Sequence, residues 1–325
     1  MPPALRPWVL LACGLALISA AQAEPGHAEC IAPASPGGAF DLTCQLARRG
    51  LLDAGLSSAP LSIRYQPGGV GAVAYNAVIA EHASDGDTLT AFSSGSLLNL
   101  AQGKFGRYDE QAVKWLAAIG TSYGALAVRA DSPYHSLADL VAAMKAAPDQ
   151  VLIGAAGTLG SQDWMQVALL ARAAGIDPAQ LRYVALEGGG EITTALRGGQ
   201  IQVASSDIVD ALPHARSGEL RILAVFAPQR LSVAGLGAIP SAREQGFDIV
   251  WPVVRGFYMG PNVSEQDYRR WQQRFERLLA SPGFARQREA SELYPFALTG
   301  STLETYVHQQ VQHYRELARD FGLIR

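Results

Sequence analysis

The chain has 325 residues, with 26 Lys or Arg and 29 Asp or Glu, so its formal net charge is -3. Apolar residues make up 49% of the chain and charged residues only 17%, which excludes an intrinsically disordered protein. The length predicts about two domains with a large hydrophobic core. Binding to nucleic acid is not expected, because it requires an excess of Lys and Arg that the sequence lacks.

The N-terminus predicts export from the cytoplasm. Residues 1–23 combine the basic Arg6, an apolar run over residues 8–20 and a small-x-small sequence at residues 21–23, as in a cleaved signal peptide. An uncleaved membrane anchor is one alternative, although the apolar run is shorter than the ~20 residues that span a bilayer. Lipid attachment at Cys13 is another. Export would place the mature protein in the periplasm.

The cysteines predict a disulfide in the mature chain. Cleavage after residue 23 would remove Cys13 and leave Cys30 and Cys44. Two cysteines in an oxidising compartment favour a disulfide, and two buried thiols are the alternative. The disulfide would close a loop of about 15 residues and contribute ~3 kcal/mol, because it lowers the entropy of the unfolded chain.

Short β-type runs alternate with amphipathic stretches along most of the chain. Strands are predicted at residues 30–32, 61–65, 88–92, 125–129, 151–153, 182–185, 201–204 and 221–226. Helices are predicted at residues 41–53, 136–146, 161–174, 191–197, 264–280 and 303–321. This alternation indicates an α/β architecture with mostly parallel sheets.

Several predicted strands are followed by loops rich in Gly, Ser and Thr, at residues 32–41, 92–96, 154–161, 186–191 and 205–207. Glycine lets the backbone approach a ligand closely, and hydroxyl side chains cap the helix that follows. Free N–H groups at a helix N-terminus favour an anion, and ligands of open α/β sheets bind at the carboxyl ends of strands. The loops therefore predict an anion-binding cleft.

Motifs for catalysis, metals and cofactors are weak or absent. Residues 69–74 match the G-x-G-x-x-A dinucleotide pattern, but they do not lie in the first strand–helix turn. No G-x-S-x-G, H-E-x-x-H or C-x-x-C pattern occurs, which argues against a serine hydrolase and a zinc site. Glu187 and Glu191 could form an acid–base pair in an exported enzyme. A turn that opens a helix explains them more simply, so no catalytic residue, metal or cofactor is predicted.

Longer motifs occur along the whole chain. They are ECIAPA at residues 29–34, PGG at 36–38, FDLTC at 40–44, PGGVGAVAYN at 67–76, GSQDWM at 160–165, EGGGE at 187–191, WP at 251–252 and RGFY at 255–258. Together they closely resemble the tricarboxylate-binding receptors of tripartite tricarboxylate transporters, which belong to the Bug family of periplasmic solute receptors. The segment at 255–258 and the residues around PGG resemble the tricarboxylate branch in particular.

The resemblance implies a fold and a function. The fold is the two-lobed type II periplasmic-binding-protein fold with hinge crossover strands, with residues 24–124 plus 230–325 in lobe 1 and residues 125–229 in lobe 2. The protein would be a monomer that closes its lobes on citrate or a similar tricarboxylate and delivers it to the permease subunits of the transporter. Three alternatives remain at this stage: docking on a sensor-kinase ectodomain, a different carboxylate ligand, and an exported enzyme.

The resemblance also implies which residues contact the ligand, largely through backbone N–H groups and ordered water. Arg255 is the candidate cation for a third carboxylate, and an ion pair or a surface position is the alternative. Asp41 is expected to cap its helix and to hold a ligand hydroxyl or a bridging water. The remaining contacts are Gly38, Phe40, Ser94, Gly95 and Ser96 in lobe 1, and Gly157, Thr158, Ser161, Gln162, Gly189, Gly190, Ser206 and Asp207 in lobe 2.

Overall fold

A computed structural model describes residues 28–234 and 236–325. The predicted signal peptide and Cys13 lie outside these residues. Within them, strands and helices alternate along the chain, which confirms the α/β class predicted from the sequence. No helix in this part of the chain is long and apolar enough to cross a membrane.

The elements are numbered in chain order. The strands are β1 (Glu29–Ala32), β2 (Ser62–Tyr65), β3 (Thr88–Ser93), β4 (Lys114–Arg129), β5 (Leu152–Ala156), β6 (Arg182–Leu186), β7 (Val203–Asp207), β8 (Leu220–Val225), β9 (Leu231–Val233), β10 (Gly237–Ile239), β11 (Pro252–Met259) and β12 (Leu298–Thr299). The helices are α1 (Ala39–Asp53), α2 (Ala72–Glu81), α3 (Ser94–Ala101), α4 (Leu137–Ala146), α5 (Gln162–Ala173), α6 (Gly189–Arg197), α7 (Ile208–Arg216), α8 (Glu265–Leu279), α9 (Pro282–Ala290) and α10 (Gly300–Asp320).

One ten-stranded sheet runs through the molecule, with the neighbour order β2-β1-β3-β11-β4-β7-β5-β6 and with β8 and β12 also paired to β4. Strand β1 is parallel to β2 and β3, and β5 is parallel to β6 and β7. The pairs that β4 and β11 make are antiparallel. The sheet therefore has a parallel first half (β2, β1, β3) and a parallel second half (β7, β5, β6). The predicted parallel pairing of strands is therefore present within each half, whereas the strands that join the halves pair in antiparallel fashion.

Strands β4 and β11 join the two halves. Strand β4 has 16 residues, pairs with β11 along its first part, and pairs with β7 and β8 along its last part. The sequence predicts only residues 125–129 of β4, because both faces of the preceding stretch are buried and its residues do not alternate in polarity. Strand β11 is absent from the prediction because Pro252 and Gly256 interrupt its pattern. A Cβ at Gly256 would collide with the Ala117 carbonyl of β4.

Two of the predicted loops are wrong. Strand β3 continues to Ser93 and α3 begins at the next residue, Ser94, so residues 92–96 contain no loop. Strand β7 likewise continues to Asp207, which is also the N-cap of α7. Polar residues at the buried ends of these strands resemble loop residues in the sequence. The helices α2, α3, α7 and α9, each of eight to ten residues, also lie outside the prediction.

The long C-terminal helix packs one face against the sheet. Its buried residues include Leu303, Val307, Val311 and Tyr314, which recur at helical spacing as the sequence predicts. Helix α10 contacts β4 and α3. It therefore covers the strand that joins the two halves of the sheet.

The predicted disulfide between Cys30 and Cys44 is confirmed. It links β1 to the second turn of α1, its Cα atoms are 5.8 Å apart, and both residues are fully buried. The loop at residues 33–38 lies between the two cysteines. The disulfide therefore fixes α1 relative to the strand that precedes this loop.

Replacing both cysteines, in the C30A/C44A variant, should lower the free energy of unfolding by about 3 kcal/mol, because the unfolded chain regains the entropy of the closed loop. Urea denaturation of the oxidised wild type and the variant measures this difference. A reductant should lower the wild type to the level of the variant and leave the variant unchanged. Equal stabilities of the oxidised wild type and the variant would contradict the prediction.

Candidate functional site

The loop between β1 and α1 is organised by Asp41. Its carboxylate accepts a hydrogen bond of 2.8 Å from the Gly37 N–H and one of 3.0 Å from the Tyr65 hydroxyl. The side chain of Gln45 donates a third hydrogen bond of 3.3 Å to it. Asp41 is buried, with an exposed fraction of 9%. The carboxylate therefore stabilises the loop, and it accepts from the N–H of Gly37, which precedes the helix, and not from an N–H group of the first turn of α1. Its contact with a ligand hydroxyl or a bridging water stays a prediction.

Helix α1 begins with free backbone donors. Its N-cap is Gly38, which has no side chain to accept hydrogen bonds from the N–H groups of the first turn. The next residues include Phe40, whose ring is buried with an exposed fraction of 8%. The first turn of a 15-residue helix carries a partial positive charge. This end of α1 is therefore suited to a carboxylate.

The hydroxyl groups at the start of α3 are used within the protein. Ser94 donates to the Pro252 carbonyl at 3.1 Å and accepts from the Val254 N–H at 2.9 Å. Ser96 donates to the Val70 carbonyl at 3.1 Å. These bonds attach α3 to β11 and to the turn that precedes α2. The two serines are thus placed at the predicted site but their hydroxyls have structural partners.

The loop between β5 and α5 belongs to the second half of the sheet. Gly157 adopts a φ of 81°, which favours glycine, and its carbonyl accepts a hydrogen bond of 2.6 Å from the Tyr183 hydroxyl. Ser161 is the N-cap of α5 and accepts from the Trp164 N–H. Thr158 lies exposed at the tip of the loop. Of the predicted contacts in this loop, Thr158 has the free hydroxyl.

Helix α6 begins in the same way as α1. Its N-cap is Gly188, which provides no side chain for capping, and the next two residues are Gly189 and Gly190. The Asp210 carboxylate of α7 packs against Gly189 so closely that a Cβ there would collide with it. Helices α1 and α6 thus form a pair of glycine-capped helices, one after a strand of each half of the sheet. Helix α2 of the first half also has a glycine N-cap, Gly71.

A buried ion pair lies where the two halves meet. The Arg255 Nη2 atom of β11 is 2.6 Å from the Asp207 Oδ2 atom of β7, and their side chains are 2% and 8% exposed. The Ser122 hydroxyl of β4 donates to the same carboxylate oxygen at 2.6 Å. Arg255 Nη1 also donates to the Ala39 carbonyl in the first turn of α1, at 3.3 Å. Arg255 thus forms an ion pair, which the sequence analysis gave as an alternative to a contact with a ligand carboxylate.

These contacts bring several predicted residues of the two halves together. The chain of contacts runs from α1 through Arg255 to Asp207, and Asp210 follows one turn later beside Gly189 of α6. A second meeting point is Gly95 of α3, where a Cβ would lie 3.4 Å from the Gln162 side-chain oxygen. Ser206 is buried and turns its hydroxyl to the Asp207 carbonyl. Thr158, at the loop tip, makes no side-chain hydrogen bond to the other half within the part of the chain that the structure describes.

Two further carboxyl groups surround this junction and were not in the predicted set. Asp163 is 5% exposed and accepts a hydrogen bond of 3.2 Å from the Ala156 N–H. Burial and the negative charges of Asp210 and Asp207 raise the pKa of Asp163 to about 8. Asp210 keeps contact with solvent but has no hydrogen bond or ion pair within the described residues. Enclosure by the protein and the charge of Asp207 raise its pKa, while Arg255 opposes this effect.

Three residues of this junction were missed by the sequence analysis, and the two acidic ones occupy equivalent places in their helices. Asp163 and Asp210 each lie in the first turn of a helix that follows a strand of the second half, and Ser122 lies within β4. An acidic residue in the first turn is normally read as a favourable partner of the helix dipole. Only the fold shows that both carboxyl groups are close enough to Asp207 for its charge to raise their pKa values.

The end of α10 makes a separate contact between the halves. The Phe321 ring packs edge-to-face on Trp164 of α5, with ring centroids 5.7 Å apart, and the Arg172 guanidinium lies 4.3 Å from the Phe321 centroid. The Gln102 side chain donates to the Gly160 carbonyl at 2.7 Å. Elements associated with the two halves of the sheet therefore touch beside the β5–α5 loop. Among the described residues, no group of three or more His, Cys, Asp or Glu is arranged to hold a metal.

The comparisons with known proteins agree on one family. The family described as "Tripartite tricarboxylate transporter family receptor" matches residues 56–323. The protein BugT of Bordetella pertussis is 27% identical over 238 residues, which are 72% of this chain and 70% of BugT. The fold is similar to that of MatC from Rhodopseudomonas palustris with bound malate, with a TM-score of 0.75, 21% identity, and coverage of 90% of this chain and 98% of MatC.

A second solved structure supports the same fold. The R. palustris protein Rpa4515 with adipate has a TM-score of 0.77 and 17% identity, and the alignment covers 91% of this chain and 97% of that protein. At these identities the structural likeness concerns the fold. It confirms the predicted periplasmic-binding-protein architecture with crossover strands.

Burial of Asp163 should make stability depend on pH. The unfolded chain releases the Asp163 proton near the ordinary pKa of 3.8, whereas the folded protein holds it to about pH 8. Between these values the folded state binds the extra proton, so its stability falls as pH rises, by up to about 1.4 kcal/mol per pH unit. In urea denaturation, the free energy of unfolding of D163N minus that of the wild type should therefore increase as pH rises from about 4 to about 8, and it should be constant above pH 8. A D163N effect that is constant with pH, as expected for D149N at an exposed position, would contradict the prediction.

Removing the Phe321 ring should loosen the contact between α10 and α5. We expect F321A to lower the free energy of unfolding by about 1–2 kcal/mol and to increase the radius of gyration measured by small-angle X-ray scattering. The matched control is F296A, whose ring packs on Tyr306 within the first half. It should lower stability without changing the radius of gyration, and equal changes in radius for the two variants would count against a contact that joins the halves.

Proposed function

The chain belongs to the family of tripartite tricarboxylate transporter receptors, and on this premise we propose that it captures citrate or a similar tricarboxylate in the periplasm. It then delivers the ligand to the permease subunits of a tripartite transporter. Members of this family are periplasmic solute-binding proteins, so the chain is a receptor and not an enzyme. A signal peptide at residues 1–23 would provide the export that this function requires.

The ligand-binding cleft lies between two lobes. Lobe 1 consists of residues 24–124 plus 230–325 and lobe 2 of residues 125–229, with β4 and β11 crossing between them as the hinge. The glycine-capped helix α1 belongs to lobe 1 and the glycine-capped helix α6 to lobe 2. Both begin at the carboxyl end of a strand, where ligands of α/β sheets bind.

The observation that carries the proposal is the pair of glycine N-caps, one in each lobe, connected through Arg255, Asp207 and Asp210. Backbone N–H groups of a first helical turn bind a carboxylate without adding a charged side chain. Two such ends on opposite lobes hold two carboxylates of one ligand. A ligand that contacts both lobes stabilises the closed form more than the open form, which is the requirement for closure.

The net negative charge of the chain explains why an anionic ligand has to be attracted by groups within the cleft. The chain carries a net charge of -3, so its overall field does not attract an anion. Asp41 is committed to its loop and Arg255 to Asp207. The N–H groups of α1 and α6 are therefore the main source of positive potential for the ligand.

The names of the relatives support a small carboxylate as the ligand. MatC was solved with malate and Rpa4515 with adipate, and both ligands are dicarboxylates. The family description and the sequence motifs favour a tricarboxylate for this chain. Binding measurements should therefore compare ligands that have two carboxylates with ligands that have three.

Ligand binding should raise the melting temperature, because a ligand that binds only the folded state stabilises it by about 2.7 kcal/mol at a hundredfold excess over Kd. A thermal-shift panel of citrate, tricarballylate, malate, adipate and the uncharged control xylitol tests this. We expect the carboxylates to raise the melting temperature and xylitol to leave it unchanged. The absence of any carboxylate-dependent shift, in protein freed of ligand by unfolding and refolding, would refute the proposal.

The start of α6 offers a matched pair of variants. A methyl group at Gly189 collides with the Asp210 carboxylate, whereas a Cβ at Gly190 has no atom within 4 Å. Both substitutions to Ala retain the backbone N–H. G189A should therefore displace the first turn and raise the Kd for citrate at least about tenfold, while G190A changes it little. Equal effects in calorimetric titration would show that the first turn of α6 does not hold the ligand in this way.

A further inference from the structure

The partners of Asp207 hold its carboxylate firmly against Arg255. Its Oδ2 atom accepts from Arg255 Nη2 and from the Ser122 hydroxyl, each at 2.6 Å. Its Oδ1 atom accepts from the Val209 N–H at 3.1 Å. The carboxylate thus has donors from β11, β4 and α7, and only 8% of its side chain is exposed. It occupies the position on Arg255 that a bound anion would otherwise take.

Arg255 itself contacts the first turn of α1, the proposed ligand-binding helix of lobe 1. Its Nη1 atom donates to the Ala39 carbonyl, one residue after the N-cap of α1. Its Nε atom is buried and has no hydrogen-bond partner. A guanidinium at this position would bind a ligand carboxylate strongly if its charge were free. Asp207 compensates that charge at short range.

We propose that Asp207 is a specificity-determining residue, which neutralises Arg255 so that a third ligand carboxylate adds little to the affinity of the cleft. This inference rests on the proposed function, since it concerns the ligand of the same cleft. A third carboxylate near Arg255 also lies near the negative charge of Asp207, and the two Coulomb energies have opposite signs. The receptor therefore accepts dicarboxylates and tricarboxylates of similar shape with similar affinity.

The test compares tricarballylate with glutarate, which have the same three-carbon chain between the terminal carboxylates and differ by the central carboxylate. Calorimetric titration at neutral pH gives the ratio of the Kd for glutarate to the Kd for tricarballylate. In the wild type we expect a ratio below about fivefold, as for a compensated charge. In D207N, which frees the Arg255 charge but keeps the size of the side chain, the ratio should rise at least about tenfold.

The double variant D207N/R255Q removes both charges and leaves the net charge of the site as in the wild type. Its ratio should therefore return to the wild-type range. The control D131N makes the same substitution in a surface ion pair with Arg129, and it should leave the ratio unchanged. A ratio in D207N within about twofold of the wild type, or a raised ratio that persists in the double variant, would overturn the inference.

Failure of the inference and failure of the proposed function have different signatures. If the wild type binds neither ligand, the proposed function fails first. If it binds both and the ratio does not respond to D207N, the inference alone fails. Should D207N not fold, the ratio in the wild type still decides, because a direct salt bridge from Arg255 to the third carboxylate predicts a wild-type preference for tricarballylate of at least about tenfold, which would overturn the inference.

Discussion

The antiparallel pairing of β4 with β11 is the constraint on which the rest of the molecule depends. These strands are the only direct bridge in the sheet order between β3 of the first half and β7 of the second, within the described residues. They place Arg255 and Ser122 beside the end of β7. The two glycine-capped helices consequently face a common junction, and a change in the twist of the crossing strands would move one helix relative to the other.

In the proposed function, the junction combines binding of an anion with an excess of acidic side chains. Asp41 and Asp207 are held by donors of the protein, and burial keeps the proton on Asp163 through the neutral range. Asp41 and Asp207 are thus compensated and Asp163 is protonated before the ligand arrives, whereas Asp210 has neither a hydrogen bond nor an ion pair within the described residues. The backbone dipoles remain to attract the anion, and they need no reorganisation when it binds. The geometry of the protein, more than its charge, determines what the cleft accepts.

Much of the fold could be predicted from the sequence, because alternating strands and helices and the Cys30–Cys44 pair are local or compositional signals. The first part of β4 and all of β11 could not, since strands buried on both faces lose the alternation that reveals them. For the site, the glycine-rich segments predict a ligand-binding cleft, and this stays a prediction. The commitment of Arg255 to Asp207 joins residues 48 positions apart, and only the tertiary structure decides between that partner and the ligand.

The most direct test of this account is a crystal structure of the protein with tricarballylate bound. The account predicts that two ligand carboxylates accept hydrogen bonds from the first turns of α1 and α6, while Asp207 remains paired with Arg255. The result that would contradict it is a ligand carboxylate that replaces Asp207 on the Arg255 guanidinium, or a ligand that contacts only one of the two helices.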